Sequence, residues 1–157
     1  MHNGKLAFED GMDALRKAYV DDYDTPLAIY PYGFAKEDDQ ASQHFTRAIE
    51  KATKTVVEHS MMIRGKQKNP ITYQAYLLMG QAQGAMGLDL SAHEAFAIVK
   101  RMSDDPDQVT RSELYRAELM AKMGNGHAAI AALDELERRG LHEDFTLQAA
   151  SVRSHAL

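Results

Sequence analysis

The chain has 157 residues, with 18 Lys and Arg against 23 Asp and Glu, which gives a formal net charge of −5. This length suits one domain with a substantial core, and a content of 45% hydrophobic and 26% charged residues is typical of a folded globular protein. The lack of Cys excludes disulfides and thiolate chemistry, and the negative charge argues against a general nucleic-acid or anionic-membrane binder.

No segment contains the roughly 18 consecutive apolar residues that a membrane-spanning helix requires. Residues 1–11 contain no apolar stretch of the kind that a secretory signal peptide has. These features predict either a cytoplasmic protein or a chain whose targeting segment is not included.

Apolar residues recur at spacings of three and four along nearly the whole chain, which predicts an all-α fold with about seven helices. The first predicted helix covers residues 5–19. Its apolar face is formed by Leu6, Met12, Leu15, Ala18 and Tyr19. An irregular stretch over residues 20–35 follows, and the second predicted helix covers residues 36–59. Its apolar stripe consists of Phe45, Ala48, Ile49, Ala52, Val56 and Val57.

The third predicted helix begins at Asn69-Pro70 and ends near residue 86, because Asn is a favourable cap and Pro a favourable first helical residue. The segment 64–68 before it carries three positive charges and no interleaved aromatic residue. We interpret this segment as a solvated loop rather than a nucleic-acid patch.

Two capping boxes predict the starts of the fourth and fifth helices, since a Ser or Thr followed three residues later by Glu satisfies two free backbone amides. Ser91 with Glu94 begins the fourth helix, and Thr110 with Glu113 begins the fifth. These two helices are predicted to end near residues 102 and 123.

Glycines bound the last predicted helices. The turn Gly124-Asn125-Gly126 permits positive φ and leads into the sixth helix, which ends near Arg139 before Gly140. Asp144 is predicted to cap a short terminal helix within residues 142–157. Together these helices are predicted to form antiparallel hairpins.

Helices three to six contain two copies of one unit, over residues 70–106 and 107–141. The anchors of the first copy recur 37 residues later, so that Gly87, Ala92, Phe96 and Val99 correspond to Gly124, Ala129, Leu133 and Leu136. Gly80 and Ala92 are small enough for two helix backbones to approach closely, and Phe96 is predicted to fill the space between hairpins. The second copy has Ala117 and Leu133 in place of this Gly and Phe.

The spacing of Tyr76, Gly80, Gly87, Ala92 and Phe96, at offsets of 0, 4, 11, 16 and 20, resembles the tetratricopeptide repeat. This resemblance implies a right-handed solenoid of stacked hairpins, in which residues 5–60 form a divergent long hairpin. A single hairpin cannot bury its apolar face alone, so the hairpins are expected to stack on their neighbours.

The N-terminal half carries a second resemblance. Its motifs are FEDG at 8–11, Tyr23, IYPYG at 29–33, RAIEKA at 47–52, HSM at 59–61 and AYLLMG at 75–80. In this order they resemble the tetratricopeptide lipoproteins of type IX secretion and gliding motility in Bacteroidetes, of the SprE/PorW type. The resemblance implies an internal fragment of a longer lipoprotein on the periplasmic face of the outer membrane. It also implies a scaffold that binds other proteins of the secretion and motility machinery.

Candidate catalytic and metal-binding residues do not form a known pattern. His59, His93 and His127 are spaced by 34 residues, but the repeat anchors are spaced by 37, so these histidines occupy different repeat positions. The acidic clusters at 21–24 and 104–107 do not match the calcium-binding loop with its closing Glu, and no Ser lies in a GxSxG motif. We therefore predict no catalytic residue, no metal and no cofactor.

Five of the twelve Tyr and Phe residues lie within sixteen positions, residues 19–34. Aromatic side chains bury a large area at low entropic cost and are enriched at binding surfaces. A first candidate protein-binding surface is therefore an aromatic loop formed by Tyr23, Tyr30, Tyr32 and Phe34. The alternative is that these rings cover the ends of the first two helices and hold the connection in place.

A second candidate surface follows from the tetratricopeptide resemblance, because the first helix of each repeat lines the concave face of such arrays. The corresponding groove residues are Gln74, Leu77, Gln81, Gly84 and Ala85 in the first copy and Arg111, Leu114, Glu118, Ala121 and Lys122 in the second. The Lys and Asn pattern that grips C-terminal carboxylates in chaperone-binding relatives is absent. An extended or helical polar segment is the expected ligand.

The main hypothesis is a non-enzymatic scaffold that binds proteins or peptides within an envelope machine. A cytoplasmic adaptor or regulatory protein of the same repeat class is one alternative. A metal-dependent hydrolase on a helical scaffold is another.

Overall fold

The computed structural model describes residues 1–18, 35–36 and 39–157, without the side chain of Lys66. These residues form seven helices and one short two-stranded ribbon, which confirms the predicted all-α class. The helices are α1 (His2–Ala18), α2 (Gln40–His59), α3 (Pro70–Ala85), α4 (Asp89–Met102), α5 (Pro106–Lys122), α6 (Gly126–Arg138) and α7 (Glu143–Ala156). The strands are β1 (Met62–Ile63) and β2 (Lys66–Gln67).

Side-chain caps fix the starts of several helices. The Asn69 side chain accepts a hydrogen bond from the Ile71 amide at 3.1 Å, with Pro70 as the first helical residue, which confirms the predicted start of α3. Asp39 caps α2 by accepting from the Ser42 amide at 2.6 Å. The turn at residues 124–126 is confirmed, since Gly124 has a φ of 79° and Asn125 caps α6.

Both predicted capping boxes are wrong. α4 begins at Asp89, before Ser91, and makes no side-chain cap hydrogen bond. α5 begins at Pro106, four residues before Thr110, because Asp105 accepts hydrogen bonds from the amides of residues 107 and 108 and Pro106 opens the helix.

The terminal helix also differs from the prediction. α7 has 14 residues, and its cap is the His142 side chain, which accepts from the Asp144 amide at 3.4 Å. Asp144 therefore lies inside the first turn, where its charge is favourable beside the helix N-terminus.

The basic segment 64–68 forms the end of a β-ribbon rather than a plain loop. Strands β1 and β2 pair antiparallel through a turn in which Arg64 and Gly65 both have positive φ, 53° and 76°. This conformation is that of a tight hairpin turn. The buried Gln67 side chain fixes its base, since it accepts from the Met61 amide at 2.8 Å and donates to Ser60 Oγ at 2.8 Å.

The buried faces of α1 and α2 differ in part from the predicted stripes. α1 buries Gly4, Ala7, Gly11 and Leu15, whereas Leu6 and Ala18 are exposed. α2 buries Ala41, Phe45, Ala48, Ala52 and Thr55, whereas Val57 is exposed. The reason is that α1 turns its small residues toward α2. A Cβ added to Gly11 would lie only 2.8 Å from Phe45 Cε1, so the helices cross at a glycine.

Each helix packs against the next one along the chain, and α1 with α3, α3 with α5 and α5 with α7 are also in contact. We call α1, α3 and α5 the A helices, and α2, α4 and α6 the B helices. The described part of the chain is thus three consecutive A–B hairpins followed by α7, with neighbouring A helices in contact.

The core between α3, α4 and α5 is centred on Phe96, which is fully buried as predicted. Its ring lies 5.3 Å from that of Tyr115 and packs against Gly80. α3 ends at Ala85, close to the predicted residue 86, and Gly87 follows with a φ of 75°. The equivalent core of the next hairpin contains Leu133 and Leu136 with Phe145, Ala149 and Val152 of α7.

Ion pairs join the B helices to α5. The buried carboxylate of Glu113 binds Lys100 Nζ of α4 at 2.6 Å and the Arg139 guanidinium at the end of α6. Lys122 Nζ lies 2.6 Å from Asp89 of α4. Glu113 therefore links three helices rather than capping one.

Candidate functional site

The A helices enclose an open cleft of about 350 Å³ on their shared face. α1 forms one wall, α3 forms the floor and α5 forms the opposite wall. The lining residues are Lys5, Phe8, Glu9, Gln74, Leu77, Leu78, Gln81, Gln108, Arg111 and Tyr115.

Four of the predicted groove residues meet in this cleft. Gln74, Leu77 and Gln81 come from α3, and Arg111 comes from α5. Gln74 and Gln81 are half-buried, and Leu77 is buried. The part of the predicted groove that matches the cleft is therefore one side of α3 and the start of α5.

The other predicted groove residues do not line the cleft. Leu114 is fully buried, and Glu118 is only 4% exposed. Lys122 is held by Asp89, and Gly84 and Ala85 are buried within α3. Ala121 packs against the same core as Leu114.

The physical reason is the position of α7. Leu114 packs with Phe145, Ala149 and Val152 of that helix. Glu118 Oε1 lies 2.9 Å from Nδ1 of His155, also on α7. α7 thus covers the part of α5 that the repeat register assigns to the open face.

The groove residues predicted from the sequence do not include any from α1. Lys5, Phe8 and Glu9 line the cleft because α1–α2 is a hairpin of the same kind as the two later ones. The B helices contain a sequence signal for this third hairpin. In each of them a small residue is followed four residues later by a large one and three residues after that by another apolar one. The three sets are Ala41, Phe45, Ala48; Ala92, Phe96, Val99; and Ala129, Leu133, Leu136.

Arg111 is held on two sides although it is exposed. Its guanidinium carbon lies 5.5 Å from the centroid of the Phe145 ring, which is within the range of a cation–π contact. Arg111 also donates a hydrogen bond to the Tyr115 hydroxyl. Burial raises the pKa of Tyr115, and the charge and hydrogen bond of Arg111 act in the opposite direction.

Primary amides dominate the rest of the cleft. Lys5 Nζ donates to Gln74 Oε1 at 3.4 Å. Gln108 Oε1 is buried and, among the described residues, has no hydrogen-bond partner. Each Gln offers one acceptor oxygen and two N–H donors, so the cleft can pair with the N–H and C=O groups of another backbone.

The aromatic loop residues Tyr23, Tyr30, Tyr32 and Phe34 lie outside the described residues, as does the acidic cluster 21–24. The chain re-enters the described part at Ala35, whose amide donates to the Ala85 carbonyl at 3.0 Å. That contact lies at the C-terminal end of α3.

His93 and the second acidic cluster have structural partners. His93 Nε2 lies 3.1 Å from Arg116 NH2, and burial, followed by the charge of Arg116, lowers the pKa of His93. Asp104 pairs with Lys68, and Asp105 caps α5. Within the described ranges, no group of three or more His, Asp or Glu side chains is arranged to hold a metal ion.

No protein-family model matches the sequence, and no curated protein matches it. Among the described helices, none is both long enough and apolar enough to cross a membrane.

Proposed function

We propose that this protein is a non-enzymatic scaffold of the tetratricopeptide type that binds an extended peptide segment of another protein in the cleft between α1, α3 and α5. The observation that carries the proposal is that Gln74, Gln81 and Gln108 line one cleft together with the apolar side chains of Leu77 and Phe8. An apolar floor with a few well-placed polar groups is the usual composition of a ligand site.

The spacing of the amides suits a peptide backbone. Gln74 and Gln81 are seven residues apart on α3, a separation of about 10 Å at a rise of about 1.5 Å per residue. Three residues of an extended peptide span about the same length. A peptide running along α3 can therefore present backbone groups to both amides.

A binding experiment with paired variants tests this proposal. A random peptide library is selected on the full chain, and the affinity of the enriched peptides is measured by fluorescence anisotropy. Gln74→Ala with Gln81→Ala should weaken binding by about thirtyfold, since each of the two lost hydrogen bonds contributes about 1 kcal/mol. The matched control, Gln40→Ala with Gln43→Ala, changes two exposed glutamines of α2 outside the cleft and should leave the affinity unchanged.

Two outcomes would contradict the proposal. In one, no peptide is enriched on the folded chain. In the other, Tyr30→Ala with Tyr32→Ala abolishes binding while the α3 double variant does not, which assigns the interface to the aromatic loop. Circular dichroism melting of every variant shows whether a loss of binding reflects a loss of fold.

We further propose that the scaffold serves the envelope machinery of type IX secretion and gliding motility, on the periplasmic face of the outer membrane. This assignment is supported by the sequence resemblance, which covers roughly residues 4–140 and has its quoted motifs within residues 8–80. The coding region upstream of Met1 tests it. A lipoprotein signal with its lipid-bearing Cys supports the assignment, and a continuous soluble domain favours a cytoplasmic adaptor.

A further inference from the structure

We propose that Arg111 is the specificity residue of the cleft and binds an acidic side chain of the peptide that lies along α3. This inference rests on the proposed function, because it names the class of peptide that the same cleft selects. It follows from the environment of Arg111 and from the charge of the cleft walls.

The guanidinium of Arg111 has no carboxylate partner among the described residues, since its contacts are the Phe145 ring and the Tyr115 hydroxyl. Neither contact neutralises its charge. Both restrict its orientation, because the ring stacks against the guanidinium and the hydroxyl accepts one of its N–H groups. A planar donor fork that is already oriented loses less conformational freedom when it binds a carboxylate.

Lys122 and Arg139 contrast with Arg111, because each of them has a carboxylate partner. Lys122 is paired with Asp89, and Arg139 binds Glu113. Arg111 lies on the same helix as Lys122 but lines the cleft, where its remaining donors are exposed. An unpaired and held cation at a cleft wall is the arrangement that selects an anionic group.

The charge of the cleft is opposite in sign to that of the chain. Its walls carry Lys5 and Arg111 against Glu9, a net charge of +2 − 1 = +1, while the whole chain carries −5. The α3 floor contributes only amides and apolar side chains. An acidic peptide is repelled by most of the surface and attracted at this one face, so complementarity favours binding in the cleft rather than elsewhere.

One acidic residue in the peptide is expected, at the position that meets α5. The backbone of the same peptide pairs with Gln74 and Gln81, and such pairing is independent of sequence. The specificity therefore depends on Arg111, and the two glutamines contribute affinity.

A double-mutant cycle tests the inference. The enriched library peptide is made in two forms, with its acidic residue as Glu and as Gln, and both are titrated against the wild type and Arg111→Gln. We expect the Glu form to bind Arg111→Gln about five- to tenfold more weakly than the wild type, as for a charge-assisted contact that is partly exposed. The Gln form should bind both proteins equally.

Three further measurements complete the design. Lys122→Gln, on the same helix but outside the cleft, should not change the affinity for either form. Arg111→Lys keeps the charge without the planar fork and should bind the Glu form with intermediate affinity. Arg111→Glu should recover binding to a peptide form with Lys at that position.

The outcomes separate this inference from the proposed function. Enriched peptides without an acidic residue, or a cycle without coupling, overturn the inference while leaving peptide binding in the cleft intact. A library that yields no binder overturns both. The inference is supported if the enriched peptides share an acidic residue whose contribution to affinity is coupled to Arg111 and not to Lys122.

Discussion

The hairpins α3–α4 and α5–α6 both place a small residue of the A helix against a large residue of the B helix, but the two pairs differ. In α3–α4 the pair is Gly80 and Phe96, and a Cβ added to Gly80 would lie 2.8 Å from Phe96 Cδ1. In α5–α6 the corresponding pair is Ala117 and Leu133, both fully buried and again sixteen residues apart. The repeats therefore preserve the combined volume of the pair rather than either residue, as close packing requires.

The same hairpins also differ in their buried polar groups. α5 buries Glu113 and Glu118, whereas the residues 37 positions earlier on α3 are Tyr76 and Gln81. Both carboxylates meet partners on other helices, Glu113 on α4 and near the end of α6, and Glu118 on α7. The polar contacts of the second copy thus join it to its neighbours.

The largest effect is expected at the centre of the α3–α4 hairpin. Phe96→Ala removes a fully buried ring and should lower the free energy of unfolding by about 3–5 kcal/mol. Chemical denaturation measures this loss. Leu133→Ala is the matched variant in the α5–α6 hairpin, and the loss of this smaller side chain should lower the free energy of unfolding by about 2–5 kcal/mol. A loss below about 1 kcal/mol for Phe96→Ala would show that the repeat register is wrong.

A smaller effect is expected when the first pair is converted into the second. Gly80→Ala places a methyl group against the Phe96 ring, and overpacking of this kind costs about 1–3 kcal/mol. Phe96→Leu in the same chain shortens the opposing side chain and reproduces the pair of α5–α6. The double variant should therefore be more stable than the sum of the two single changes predicts, by about 1 kcal/mol.

The control for the Gly80 and Phe96 double-mutant cycle is a glycine that no side chain approaches closely. Gly124→Ala meets open space but requires positive φ, so Phe96→Leu should neither rescue nor worsen it. If the effects of the Gly80 and Phe96 changes on stability are additive, as they are for distant sites, the two residues do not pack as a pair.

Much of the α3–α4 hairpin could be predicted from sequence, because its signals are either local capping residues or positions in one repeat pattern. Asn69-Pro70 specifies its start, and the offsets of Gly80 and Phe96 specify its crossing. The starts of α4 and α5 were predicted wrongly because capping boxes compete with neighbouring turns, and Asp105-Pro106 is the stronger start signal.

The cleft was predicted only in part, since its composition depends on contacts between distant segments. α1 belongs to it because Gly11 packs on Phe45 across the long connection. The recurring residues of the B helices indicate that α2 belongs to a similar hairpin, but no local pattern on α1 reveals this contact. The exclusion of Leu114 and Glu118 depends on α7, which begins some 25 residues further along the chain. Repeat position alone cannot indicate which helix covers a surface.

The smallest expected effect is a pH dependence of stability that α5 has, through Glu118, and that α3 lacks. Burial raises the pKa of Glu118 above its ordinary value of 4.5, and the hydrogen bond and charge of His155 act against this shift. The folded chain therefore retains a proton that the unfolded chain has released. As the pH rises from 4.5 through the raised pKa, the contribution of this group to stability is lost. Glu118→Gln, which copies Gln81 of the α3–α4 hairpin, removes that contribution.

The measurement is the difference in unfolding free energy between wild type and Glu118→Gln across the acidic range, which cancels the other carboxylates. This difference should move in favour of the variant as the pH rises, and then level off above the pKa of the folded state. In a His155→Gln background the charge that opposes the shift is absent, so the change should extend to higher pH. A difference that is independent of pH in both backgrounds would show that burial on α5 does not perturb Glu118, and that the two A helices respond to acid alike.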